Sequence, residues 1–136
     1  MKNLKTKNII GVFVILLFGF ISSCKKEDND TIKPTISVEE PMTGDTADLS
    51  VEPEIHFEFT ATDNIGLKSV NVKLTNESGT TLFNDDPSVM DQKIFSYHDH
   101  FEPTGISVLT SLTLTITATD KSDNVDTRKI AFFAKP

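Results

Sequence analysis

Strict alternation of apolar and polar residues is the feature that most constrains the fold of this chain. Every second residue from Ile55 to Thr62 is apolar, and the same alternation runs from Leu112 to Thr119. Successive side chains of a β-strand point to opposite faces, so this period of two predicts strands with one buried face and one wet face. No segment after residue 30 shows a competing helical period. The chain is therefore predicted to be all-β.

Short runs rich in Val, Ile, Phe and Thr are separated by clusters of Pro, Gly, Asn and Asp, as is typical of antiparallel β domains. We predict seven strands: Thr35–Glu39, Glu54–Thr62, Leu67–Thr75, Thr80–Phe83, Lys93–Phe101, Leu109–Thr119 and Arg128–Phe133. Seven short strands in a domain of about a hundred residues indicate a β-sandwich. The alternation also predicts a core that contains Ile55, Phe57, Phe59, Ala61, Val70, Val72, Leu74, Leu112, Leu114, Ile116 and Ala118.

The start of the chain has the layout of an export signal. Lys2, Lys5 and Lys7 are basic, residues 9–20 carry no charged or polar side chain, and Ile21-Ser22-Ser23-Cys24 follows. The apolar run is much shorter than the ~20 residues of a transmembrane helix. A cleaved secretory signal is therefore favoured over a retained membrane span.

Ile21-Ser22-Ser23-Cys24 resembles the lipobox of bacterial lipoproteins, in which the cysteine receives a diacylglycerol before the signal is cleaved. The resemblance implies a signal peptide over residues 1–23 and an acyl lipid on Cys24 that anchors the protein to a membrane. Cys24 is the only cysteine of the chain, so it has no partner for a disulfide. Each buried methylene contributes ~0.8 kcal/mol, and two or three acyl chains hold a protein durably.

The segment after Cys24 is strongly polar. Residues 25–30 read Lys-Lys-Glu-Asp-Asn-Asp, and we expect residues 24–33 to form a solvated tether ahead of a domain over residues 34–136. Lys26, Glu27 and Asp28 resemble the acidic export signal of surface-exposed lipoproteins in the Bacteroidota. That resemblance implies an outer-membrane lipoprotein that faces outward from the cell.

The net charge limits the expected partners. Three of the 13 basic residues lie in the signal, so the remainder carries 10 basic against 20 acidic residues and a net charge of −10. A domain of this charge is repelled by nucleic acid and by anionic lipid surfaces. We therefore expect no nucleic-acid partner and an attraction for cations.

Three segments resemble the loops of the immunoglobulin-like domains found in bacterial surface proteins: Pro41–Asp45, Thr60–Gly66 and Thr117–Asn124. The resemblance implies an immunoglobulin-like antiparallel β-sandwich. From Pro34 to the end, the chain is also similar to an uncharacterised Bacteroidota lipoprotein family with this fold. Antibody-type domains have an inter-sheet cysteine pair and a buried tryptophan, which this chain lacks. The resemblance therefore supports the fold and not an immune function.

The three histidines form one candidate metal site. His98 and His100 lie on one face of the fifth predicted strand, and His56 lies on the outward face of the second. If these strands begin and end level, His56 lies opposite His98 and Glu54 lies opposite His100. Imidazole nitrogens and a carboxylate are ligands for zinc or copper. The alternative is a set of solvent-exposed histidines without a metal, which a register shift of two residues would favour.

Acidic loop residues form a second candidate site, for calcium. The residues are Asp63, Asp120, Asp123 and Asp126, all in loops expected at one end of the sandwich. Calcium takes six to eight oxygen ligands. The spacing is not that of an EF-hand, and aspartate is common in turns because its side chain accepts hydrogen bonds from nearby backbone N–H groups. Turn formation without an ion therefore remains the alternative.

The sequence shows no nucleophile elbow, metalloprotease helix or glycine-rich phosphate loop, so we expect no enzymatic activity. The leading hypothesis is a non-enzymatic, membrane-anchored surface lipoprotein whose domain has a binding or structural role. A protein partner is preferred to a glycan, because the chain has no tryptophan and most of its phenylalanines fall on core faces. Metal-binding and glycan-binding lipoproteins are the alternatives.

Overall fold

The computed structural model of the protein describes residues 30–136, which form eight β-strands. The strands are β1 (Thr35–Glu40), β2 (Thr46–Asp48), β3 (Ile55–Thr62), β4 (Leu67–Asn76), β5 (Thr81–Asp85), β6 (Ile94–Phe101), β7 (Thr110–Asp120) and β8 (Val125–Lys135). No helix in this part of the chain is long and apolar enough to cross a membrane. The predicted signal peptide over residues 1–23, Cys24, and the predicted export signal at Lys26, Glu27 and Asp28 lie outside the described residues.

The strands form two sheets, with the orders β1-β3-β6 and β2-β8-β7-β4-β5. Strands β8, β7 and β4 occupy the G-F-C order of one immunoglobulin sheet, and β1, β3 and β6 occupy the A-B-E order of the other. All ladders are antiparallel except the one between β2 and β8, which is parallel. The predicted all-β, immunoglobulin-like sandwich is confirmed.

The alternation of the sequence produces the core as predicted. In β3, Phe57 and Phe59 are fully buried, and the intervening residues face outward. The ring of Phe57 lies 5.2 Å from that of Phe83 on β5, which joins the two sheets by an aromatic contact. All the predicted core residues of β3, β4 and β7 are at most 2% exposed. Burial of this continuous apolar layer is the main force that holds the sheets together.

The sequence pattern does not predict β2. Its residues Thr46, Ala47 and Asp48 pair in parallel with Phe133, Ala134 and Lys135 of β8. A three-residue strand is too short for a period of two to be visible, and it is stabilised by pairing with a strand distant in sequence. The sandwich thus has eight strands instead of the predicted seven.

Candidate metal centre

Three imidazoles lie together on the solvent face of the three-stranded sheet. The ladder between β3 and β6 places His56 directly opposite His100, and His98 lies two residues earlier on β6. One ring nitrogen from each histidine lies within 4.8 Å of the other two. Nδ1 of His56 is 3.2 Å from Nδ1 of His100. Strand pairing, and not a loop, therefore holds the histidine cluster, which we define as His56, His98 and His100.

The spacing of the histidine cluster fits one tetrahedral ion. Zinc binds imidazole nitrogen at about 2.0–2.1 Å, so two nitrogens on one tetrahedral zinc are about 3.3 Å apart. The 3.2 Å between the Nδ1 atoms of His56 and His100 matches this value. The ring centroid of His98 is 4.9 Å from that of His100 and 6.4 Å from that of His56. His98 is exposed, so its side chain is free to rotate toward an ion held by the other two.

Glu52 orients the ring of His56. Its Oε1 lies 2.8 Å from Nε2 of His56. A carboxylate only accepts hydrogen bonds, so Nε2 is the donor, and in the tautomer with one ring hydrogen the lone pair of Nδ1 faces His100. Histidines that bind metals commonly donate their second ring N–H to a carboxylate in this way. The sequence pattern does not predict Glu52, because the residue lies in the loop before β3 where no periodicity fixes a side-chain direction.

The predicted pairing of β3 with β6 is wrong by two residues. His98 lies opposite Glu58 instead of His56, and His100 lies opposite His56 instead of Glu54. Glu54 precedes β3 and is outside the group of potential ligands. A displacement of two residues keeps every side chain on its original face. The histidines consequently stay together, and Glu52 takes the place expected for Glu54 as the carboxylate beside them.

The surroundings of His56 are acidic. It lines an open cleft of about 290 Å³ together with Glu40, Asp45, Glu52 and Glu54. Carboxylates that surround a site raise the local concentration of cations and stabilise a bound one. Glu54 thus contributes negative charge beside the histidine cluster without belonging to it.

The acidic residues predicted to bind calcium divide into two pairs. Asp63 and Asp120 are 9% and 0% exposed and lie within one carboxylate group. Asp123 instead forms an ion pair with Nζ of Lys68. The fourth residue, Asp126, lies 3.5 Å from Nε of Arg128. The structure therefore does not place Asp123 and Asp126 beside Asp63 and Asp120. Asp123 instead faces a lysine on β4, and Asp126 faces an arginine on its own strand, β8.

Asp120 is held in its charged form. Its burial alone would raise its pKa, but hydrogen bonds from the side chain and backbone of Asn124 and from the backbone N–H of Ser122 outweigh burial and lower the pKa. Lys68 adds a smaller electrostatic effect in the same direction. Asp120 is consequently a negative charge in the interior of the loop between β7 and β8.

The chain matches a known family model. A family model described as "Domain of unknown function (DUF4625)" matches residues 22–118. The matched segment begins two residues before Cys24 and ends within β7. No curated protein matches the chain.

Two solved structures are similar to this chain. An engineered protein is 18% identical with a TM-score of 0.55 over 76% of the chain, and the chain spans only 20% of that protein's length. The CARDB domain of a Pyrococcus furiosus protein, solved in complex with di-metal ions, is 15% identical with a TM-score of 0.43, covering 76% of this chain and 94% of that one. At 18% identity, the likeness to the engineered protein concerns the fold and not the function.

Proposed function

The chain belongs to the family Domain of unknown function (DUF4625), and from the geometry of its histidines we propose that it is a non-enzymatic, membrane-anchored β-sandwich that binds a transition-metal ion. The ligands are the imidazoles of His56, His98 and His100, and the expected ions are zinc and copper. The observation that carries the proposal is the 3.2 Å separation of two Nδ1 atoms, one of them on a ring whose other nitrogen is held by Glu52.

The metal-free alternative is a hydrogen bond between two of the rings, because 3.2 Å between Nδ1 of His56 and Nδ1 of His100 is also a hydrogen-bonding distance. That bond accounts for two of the three histidines. A metal ion would also engage the third, whose ring nitrogen lies within 4.8 Å of the other two. Three protein ligands leave a further position on a tetrahedral ion for water or for a partner's side chain.

Membrane attachment through an acyl lipid on Cys24 is part of the proposal. It is supported by the basic start, the apolar run and the lipobox-like Ile21-Ser22-Ser23-Cys24. The family match also begins at residue 22, so the matched region includes Cys24 and the acidic segment that follows. Lys26, Glu27 and Asp28 then act as the signal for display on the outer face of the outer membrane.

A protein partner stays a prediction, and a glycan partner stays the alternative. The proposed metal site is compatible with both, because the histidine cluster lies on an open sheet face. A protein that supplies a fourth ligand would bind only the metal-loaded form. The predicted protein interaction would then require the bound metal.

Calorimetric titration of the metal-free, full-length lipoprotein in detergent tests the metal site. We expect one Zn²⁺ or Cu²⁺ per chain and an affinity at least about tenfold lower for His100→Ala, because a ligand is lost. Ser96→Ala is the matched control, since Ser96 is exposed on the same strand and face. Unchanged circular dichroism of each variant establishes that it is folded. No binding by the wild type, or equal binding by His100→Ala, would overturn the proposal.

A further inference from the structure

A second group of carboxylates lies at one end of the sandwich, separate from the histidine cluster. Asp63 immediately follows β3, Asp120 ends β7, and Asp30 comes from the segment ahead of β1. One carboxylate oxygen from each of the three lies within 4.8 Å of the other two. Residues distant in sequence are thus brought together by the fold, and we call Asp30, Asp63 and Asp120 the acidic cluster.

Two oxygens of the acidic cluster are buried and have no hydrogen-bond partner in the described part of the chain. Asp63 is 9% exposed, and its Oδ1 accepts hydrogen bonds from the backbone N–H groups of Ile65 and Gly66. Within residues 30–136, neither its Oδ2 nor Oδ2 of Asp30 accepts a hydrogen bond. A buried carboxylate oxygen without a donor is unfavourable, and a bound cation removes this cost. The geometry therefore leaves oxygens free for a ligand that the protein itself does not supply.

Basic side chains in the described part of the chain form no ion pair with the acidic cluster. No salt bridge within residues 30–136 includes any of its three carboxylates. The neighbouring Lys68 and Lys121 are paired instead with Asp123 and Asp91. Three close negative charges in a partly buried place repel one another unless a cation lies between them.

Calcium is the ion that fits the acidic cluster. Its oxygen ligands lie at about 2.3–2.6 Å, so oxygens of one coordination sphere are separated by up to about 5 Å. The three carboxylate oxygens, all within 4.8 Å of one another, can therefore share one calcium coordination sphere. Magnesium demands a smaller octahedron and retains several waters, which suits buried carboxylates less well. Zinc and copper prefer the imidazoles of the histidine cluster.

We propose that the acidic cluster binds one Ca²⁺ and that this ion clasps the N-terminal segment onto the end of the sandwich. The segment already touches this end, because Nδ2 of Asn124 donates to the carbonyl oxygen of Asp30 at 2.8 Å and to Oδ2 of Asp120 at 2.7 Å. Without the ion, repulsion from Asp63 and Asp120 weakens this contact, and the hydrogen bond from Asn124 then opposes that repulsion. Bound calcium thus sets whether the segment that leads back to Cys24 is docked or released.

This site differs from the one predicted from the sequence. Asp63 and Asp120 remain, but Asp30 replaces Asp123 and Asp126. The change gives the ion a different role, because Asp30 lies in the predicted tether over residues 24–33. Calcium would then hold the domain end of this tether against the sandwich. This shortens the free part of the tether and restricts the orientation of the sandwich relative to the membrane.

Thermal unfolding of the full-length lipoprotein in detergent, after removal of metals, tests the site. We expect about 1 mM CaCl₂ to raise the Tm by about 4–8 °C over the value in EGTA. Asp30→Asn should abolish the calcium response while folding in EGTA, and Asp123→Asn should keep it. A wild-type Tm that is equal in calcium and EGTA would overturn the proposal, as would a full response in Asp30→Asn.

Two further measurements test separately whether the segment docks and which ion binds. Hydrogen exchange of a peptide covering residues 25–33 should slow severalfold in calcium, and unchanged exchange would overturn the clasp. An equal Tm increase with the same concentration of MgCl₂ would overturn the assignment of calcium. His100→Ala should retain the whole calcium response, since the histidine cluster is a separate site. The calcium result therefore does not depend on the proposed zinc or copper function.

Discussion

Nδ1 of His56 lies 3.2 Å from Nδ1 of His100 across the ladder between β3 and β6. This contact depends on the ring orientation of His56, which Glu52 holds through Nε2 at 2.8 Å. The carboxylate fixes which nitrogen carries the hydrogen and therefore which nitrogen is available to a metal. A residue that does not touch the ion is thus expected to set its affinity.

Glu52→Gln should weaken Zn²⁺ binding by about 10- to 100-fold, as is usual when the carboxylate partner of a metal-bound histidine is lost. The glutamine keeps the size of the side chain but does not stabilise the N–H of His56 with a negative charge. Glu54→Gln is the matched control, because Glu54 carries the same charge in the same cleft but does not hydrogen-bond to His56. Titration calorimetry gives both affinities, and equal losses in the two variants would assign the effect to net charge alone.

The histidine cluster shows what alternation does and does not predict. A period of two assigns each side chain to a face, so His56, His98 and His100 share the solvent side as expected. The same period is unchanged by a shift of two residues, so it cannot distinguish His100 from His98 as the partner of His56. Register depends on turns and on packing across the sandwich, which local sequence does not specify.

The loops explain the remaining differences from the sequence-based predictions. Glu52 and Asp30 lie outside the alternating runs, where no pattern indicates the direction of a side chain. Asp63 and Asp120 could be predicted because each directly follows or ends a regular strand at the same end of the sandwich. Short β2 depends on Phe133–Lys135 at the other end of the chain, and local propensity carries no information on that pairing.

Gly66→Ala should destabilise the sandwich by about 3 kcal/mol, because its backbone conformation and its surroundings both exclude a side chain. Gly66 has φ +155°, and an added Cβ would lie 3.0 Å from the carbonyl oxygen of Asp91. Gly79→Ala is the control, since Gly79 has φ +80° with open space around the position. It should cost about 1 kcal/mol from backbone strain alone. Urea unfolding measures both, and equal losses would contradict the predicted clash.

Tyr97→Phe should lower stability at neutral pH by about 1–2 kcal/mol. The single O–H hydrogen of Tyr97 is shared between Oδ2 of Asp85 at 2.9 Å and Oδ2 of Asp99 at 3.0 Å. Burial, followed by these two carboxylates, raises the pKa of Tyr97 well above its usual value. A raised pKa in the folded state stabilises the protein below about pH 10, and this stabilisation is lost as the pH rises toward the folded-state pKa.

The difference in unfolding free energy between wild type and Tyr97→Phe should therefore shrink above about pH 10. Urea unfolding at a series of alkaline pH values measures it. The comparison cancels the titration of lysines, which both proteins share. A difference that stays constant with pH would show that folding does not raise the pKa of Tyr97.

Cys24→Ala should abolish lipid attachment, because the thiol of Cys24 is the only one in the chain. Cells that express the wild type should incorporate labelled palmitate into the protein, and the variant should incorporate none. Ser22→Ala is the matched control, since it keeps a small residue before the cysteine and should be labelled normally. Replacement of Lys26, Glu27 and Asp28 by alanine should leave the label in place but reduce digestion of the protein by protease added to intact cells. Labelling of Cys24→Ala would contradict the anchor, whereas unchanged digestion would contradict only the outward-facing signal.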